Sequence, residues 1–208
     1  MTDTAELQRG AGGFDRSLLM APAVEVAPLL LGAIIRKGEV AVRVTEVEAY
    51  MGSIDPGSHA FRGRTNRNQV MFGEPGHLYT YFTYGMHTCA NVVCAPEGTA
   101  SGLLLRAGEV IEGEDAARAR RPKAASHAGL ARGPGNFAQA LGITLDDGGC
   151  DLAVGPVTLH VDEPASEYLT GPRTGVSGAG GTHEYPWRFW LPGDPTVSPY
   201  RAAVSRKR

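Results

Sequence analysis

The sequence predicts an α+β fold: a single compact domain over residues 1–208, with a mixed, mostly antiparallel, curved β-sheet and short peripheral helices. Three observations carry that expectation. The chain holds 28 Gly and 14 Pro, so turns are frequent and long uninterrupted helices are few. Its apolar runs are short, rich in β-branched and aromatic residues and bounded by turn signals, as in VAVRVTEVEAY and LYTYFTY. No repeat or linker divides the 208 residues, a length that buries one sizeable core. With few crossover helices between the strands, antiparallel pairing is the simpler arrangement.

The elements follow in order. Met1 to Asp15 is polar and Gly-rich and lacks the apolar stretch of a signal peptide, so it reads as a flexible arm. Ala23 to Leu31 suits a short helix. Ala33 to Lys37, a turn at Gly38 and Val40 to Tyr50 suit a hairpin. Period-two alternation places Val40, Val42, Val44, Glu46, Glu48 and Tyr50 on one face of the second strand. That strand would begin in the core and end in a cleft, with two carboxylates and an aromatic. Met51 to Pro75 reads as a long loop carrying His59, Arg62, Arg64 and Arg67; loops of that length are usually functional or disordered. Leu78 to Tyr84 is an aromatic strand with Tyr79 and Tyr81 on one face and Tyr84 next to Gly85. Strands at His87–Cys94 and Gly102–Val110 come next, then helices at Glu114–Arg121 and Pro134–Leu141. Strands at Val157–Val161 and Arg188–Leu191 close the series.

The net charge of -2 argues mildly against a nucleic-acid partner, but its distribution matters more. Arg62, Arg64 and Arg67 lie in a stretch without acids. Arg118, Arg120, Arg121 and Lys123 form a second basic group, and Arg201, Arg206, Lys207 and Arg208 a third. Cys89, Cys94 and Cys150 are too few and too irregular for a disulfide framework or a zinc site, which fits a reducing cytoplasm. No apolar run is long enough to span a membrane. No metal or cofactor is expected.

Between Thr45 and Arg106 the chain collects a strand-end carboxylate, several tyrosines, polar residues and arginines. Cleaving an N-glycosidic bond in duplex DNA calls for such a kit: a base, rings that stack on an extruded nucleobase, groups for its edges and cations for phosphates. Here the sequence resembles the 3-methyladenine DNA glycosylases of the alkyladenine type. The resemblance rests on VTEVEAYMG (Val44 to Gly52), His59, RNQVMFGEPGHLYTYFTYGMHTCANVV (Arg67 to Val93), LLLRAGEVIEG (Leu103 to Gly113) and GPRTGV (Gly171 to Val176). These segments stand in family-like order from about Leu18 to Ser198. The resemblance implies a monomeric, monofunctional glycosylase of base excision repair. Such an enzyme flips alkylated or deaminated purines from double-stranded DNA and hydrolyses the glycosidic bond. It further implies that Glu48 activates the water and that Arg106 lies near it. Tyr50, His59 and Tyr81 would line the base pocket, and Asn91 would crowd a purine 2-amino group. Tyr84 would fill the space the base leaves. Arg64 and Arg67 are candidates for backbone contacts, and Tyr79 reads as packing. His87 stands where the family often has an aromatic. None of the matched segments holds a lysine, the residue a bifunctional glycosylase uses as its nucleophile.

Two rivals remain. Glu46 and Glu48 share a strand face, so their carboxyls could lie roughly 6.5–7 Å apart, near the spacing of an inverting sugar hydrolase. Against this stands the sequence distance of both tryptophans, Trp187 and Trp190, from the pair. A non-catalytic binder of damaged DNA or structured RNA is the second rival.

Overall fold

The computed structural model describes residues 13–203 except Tyr84 and Asp162. The expected wedge Tyr84, most of the expected N-terminal arm, and Arg206, Lys207 and Arg208 therefore lie outside the described residues. Helix α1, Ala23–Leu30, buries Ala23, Val26, Ala27 and Leu30, the spacing of one helix face. Its first amide donates to Ser101 Oγ at 2.9 Å, which ties it to the sheet. Strands β1 (Ile34–Lys37) and β2 (Val40–Tyr50) form the expected hairpin over Gly38, whose φ of +58° suits glycine. Strands β3 (Leu78–Thr83), β4 (His87–Val93) and β5 (Gly102–Glu112) lead to α2 (Glu114–Arg120). A two-residue strand β6 (Ala131–Arg132), helix α3 (Pro134–Leu141) and strand β7 (Val157–His160) follow. The series ends with β8 (Leu169–Gly171) and β9 (Arg188–Trp190).

The described strands form one nine-stranded sheet with the order β3-β4-β5-β2-β1-β7; β6 joins β5, and β9 links β8 to β2. Every pairing among the described residues is antiparallel, so the expected mixed sheet is antiparallel throughout. Helix α3 packs on β4 and β5. Gly108 permits that approach, since a Cβ there would stand 3.0 Å from the ring of the buried Phe137. No helix among the described residues is long and apolar enough to cross a membrane.

The centre of the sheet departs from simple alternation, and the departure builds the site. The β2–β5 register steps from Val44↔Gly108 to Glu46↔Ala107, leaving Thr45 as an extra residue on β2. It then steps to Val47↔Leu105, leaving Arg106 as the extra residue on β5. Because side chains alternate with period two, an added residue exchanges the faces of everything beyond it. The main core accordingly takes Val40, Val42 and Val44 before the bulge but Val47 and Ala49 after it. The expectation that the valines and the two glutamates share one face is thus corrected. The bulge turns Glu46, Glu48 and Tyr50 away from the core that holds the valines. At the same place β2 exchanges neighbours: β1 pairs with residues 40–43, and β9 with Glu46 to Glu48. Thr45 remains satisfied, its hydroxyl 2.7 Å from that of Thr196.

Candidate active site

A cavity of ≈ 610 Å³ opens beside the end of β2. It brings together Glu48 and Tyr50 from β2, His59 from the long loop, Tyr81 from β3, Asn91 from β4 and Arg106 from the bulge in β5. These are the residues expected to carry catalysis and base binding, apart from Tyr84, which lies outside the described residues. Arg64 is exposed and is not among the lining residues.

Glu48 is completely buried, yet its carboxylate borders the cavity. Oε1 accepts the Thr174 amide at 2.6 Å, Oε2 accepts the Tyr50 hydroxyl at 3.0 Å, and Arg106 Nε stands 3.5 Å from Oε1. Burial pushes the carboxyl above its ordinary range and outweighs the opposing pull of Arg106, the Thr174 amide and the Tyr50 hydroxyl; nearby Glu46 pushes the same way. Burial and the Glu48 charge drive the Tyr50 hydroxyl far above its usual value, so it remains a donor to the carboxylate.

Glu46 lies two residues earlier in surroundings of another kind. Oε1 accepts Arg106 Nε at 2.8 Å, Arg188 Nε at 2.6 Å and Ser198 Oγ at 3.0 Å, while Oε2 accepts the Ser198 amide at 2.7 Å. It is completely buried and does not line the cavity. The paired-carboxylate mechanism therefore lacks its second partner. The tryptophan argument against that mechanism does not hold. Trp190 pairs with Glu46 across the sheet, and the Trp187 carbonyl accepts the Ala49 amide. Strand pairing closes the sequence distance, although neither tryptophan lines the cavity.

Aromatic rings form a wall of the cavity. The His59 ring meets Tyr81 edge-on at 4.6 Å between centroids, and Tyr79 lies 5.6 Å from Tyr81. Tyr79 was expected to be packing; it is buried against Met71 and Val93, but it also lines the cavity, and its hydroxyl lies 3.3 Å from His59 Nδ1. Burial, with the Arg67 charge, lowers the His59 ionisation below its ordinary value, which leaves the ring neutral at pH 7. The exposed Arg67 stands with its guanidinium carbon 5.7 Å from the Tyr81 ring centre. Asn91 is held by donation from Nδ2 to the Tyr79 carbonyl at 3.1 Å. Cys89 is buried and also borders the cavity; burial pushes its thiol to about 11.

Sequence reasoning missed Arg173. It is fully buried and makes a two-pronged bridge to Asp55 at 2.5 and 2.6 Å, with further donation to the Ala49 and Gly180 carbonyls. Its guanidinium carbon lies 4.5 Å from the Tyr50 ring centre. The bridge fixes the loop whose next residue, Thr174, presents its amide to Glu48. The only sign in the sequence was a lone arginine within the matched segment GPRTGV.

The sequence profile of the methylpurine-DNA glycosylase family matches residues 17–195. The chain belongs to that family. A relative from Leifsonia xyli, provisionally named a 3-methyladenine DNA glycosylase, is 56% identical over 195 residues, covering 89% of this chain and 92% of its own. One of the same provisional name from Streptomyces avermitilis is 54% identical over 202 residues, covering 93% and 94% of the two chains. A third, from Mycobacterium leprae, is 50% identical over 190 residues, covering 88% and 87%. Family membership makes the chain a DNA glycosylase, a hydrolase of alkylated purines in DNA repair.

Proposed function

We propose that this chain accepts an alkylated or deaminated purine flipped from double-stranded DNA and hydrolyses its N-glycosidic bond with water activated by Glu48, leaving an abasic site. The observation that carries the reading is a buried carboxylate at the floor of an aromatic cavity, braced by two donors and bordering open space. The base enters between Tyr50 on one side and Tyr81 and His59 on the other. Stacking on such rings contributes roughly 1–3 kcal/mol per base. An N3- or N7-alkylated purine carries positive charge and gains a cation–π attraction, which a neutral His59 does not oppose. Asn91, fixed at the wall by Tyr79, crowds a purine 2-amino group. Ionised Glu48 takes a proton from the attacking water, and its negative charge favours the cationic sugar formed as the bond breaks. Arg106 offsets part of the cost of that buried charge. No lysine among the described residues borders the cavity, in keeping with direct hydrolysis and not an imine intermediate. Tyr84, which follows β3 in the sequence, fills the vacated space in the duplex, and Arg64 and Arg67 take backbone phosphates. The free thiols of Cys89, Cys94 and Cys150 fit the cytoplasm.

Glu48→Gln tests the assignment in a single-turnover assay on a duplex carrying one 7-methylguanine. Excision falls by at least roughly 10²-fold, while binding to the lesion duplex persists. Near-normal base release would remove Glu48 from the chemistry. Wild-type binding without release would favour the non-catalytic reading.

A further inference from the structure

Arg201 lies among the cavity-lining residues, four of which are exposed: His59, Gly175, Ser177 and Arg201; the last three stand together at the mouth, where the Gly175 amide donates to the Arg201 carbonyl. The chain is fastened on both sides of this approach. Ser198 donates its amide and hydroxyl to Glu46 at 2.7 and 3.0 Å, beneath the catalytic strand. Three residues on, the Arg201 carbonyl accepts the Gly175 amide at 2.8 Å. The segment therefore runs from a buried anchor out to the rim and holds its backbone there. The other arginine lining the cavity, Arg106, is neutralised by Glu46 and Glu48. The Arg201 guanidinium is exposed and makes no ion pair with any described residue.

We infer that Arg201 binds a backbone phosphate flanking the extruded nucleotide. The inference rests on the reading that a nucleotide is flipped into this cavity. An extruded nucleotide rotates about its own backbone, so when the base reaches the floor its sugar and adjoining phosphates lie at the mouth. A tethered, unpaired guanidinium at that mouth meets a phosphate with two forked donors and without losing a partner of its own. In an unflipped duplex the same phosphates stay in the helical backbone, away from the rim. Arg201 would thus favour the extruded state and not duplex binding in general.

The test compares two duplexes of one sequence, one with a single ethenoadenine and one undamaged, titrated against increasing salt with Arg201→Ala, Arg201→Lys and the otherwise wild-type chain. Arg201→Ala weakens binding to the lesion duplex by roughly tenfold and lowers its log–log salt slope by about one. Both quantities on the undamaged duplex stay unchanged, and Arg201→Lys keeps most of the slope. An unaltered lesion slope overturns the inference. An equal fall on both duplexes also overturns it, since Arg201 would then serve duplex binding generally. Base release by the wild-type chain from a 7-methylguanine duplex is measured alongside. No release, with no preference for the lesion, overturns the flipping reading and this inference together; normal release with an unaltered slope overturns this inference alone.

Discussion

Glu46 and Glu48 are the same residue type, two positions apart on one strand, both fully buried, and the structure gives them opposite surroundings. Glu46 receives two arginines and both donors of Ser198 and is closed off from the cavity. Glu48 receives one amide and one hydroxyl, stands at 3.5 Å from its arginine, and borders the cavity. A carboxylate whose oxygens are taken up by donors and closed off from the cavity has no place for a water. One under-supplied with donors in a buried place is held protonated longer and becomes a stronger base once ionised. The difference in partners, and not in residue type or depth, separates a structural acid from a reactive one.

The largest way to break this contrast is Glu46→Ala. It leaves Arg188 and most of the Arg106 charge buried without their carboxylate, a loss on the order of 3–5 kcal/mol of stability. Urea denaturation measures it. A variant as stable as wild type would mean that Glu46 is not the anchor described here.

Glu48→Gln should move stability the other way, by on the order of 1 kcal/mol, because it removes a charge whose burial its partners do not fully offset. Folding raises the pKa of Glu48, so the wild-type chain is undisturbed below the ordinary carboxylate range, where the group is protonated in both states, and loses stability as pH rises toward the folded value. The gain of the Gln variant should therefore be absent in acid and grow toward neutral pH. Thermal unfolding of the two chains across that range would expose a gain of the wrong sign.

The smallest expected effect belongs to Tyr50→Phe, which takes one donor from Glu48 and leaves the ring. Excision of 7-methylguanine should fall roughly threefold on the rising limb of the pH profile. On the plateau, where Glu48 is ionised in both chains, excision should be near normal. An equal loss at every pH would assign the hydroxyl to base binding instead.

Much of this was legible in the sequence, because its signals are local. Gly38 marks the hairpin, and helix α3 falls on the predicted residues, Pro134–Leu141. Of the expected site residues, Glu48, Tyr50, His59, Tyr81, Asn91 and Arg106 converge on one cavity, whereas Arg64 and Arg67 lie outside its lining. What escaped is set by long-range pairing. Thr45 carries no mark of a bulge, because the bulge arises from its register with Gly108 and Ala107 on another strand. The short strands β6 and β8, two and three residues long, have no periodicity to read. Arg173 acquires its role only when Asp55 lies opposite it, 118 positions away.

The partners of Glu46 have a bearing on the birth of the molecule. Its carboxylate is made early, yet Arg106 follows 60 positions later, Arg188 142 and Ser198 152. Until those residues emerge from the ribosome, a charge destined for the interior has no counterpart, and water is its better home. The end of β2 thus stays open while the rest of the hairpin can already pair. A chain stalled before Arg188 would hold Glu48 on a strand without β9 and without a finished cavity. The strand that carries Glu46 and Glu48 is thus among the first parts synthesised and among the last to be completed, and the cavity at its end is finished only when nearly the whole chain has been made.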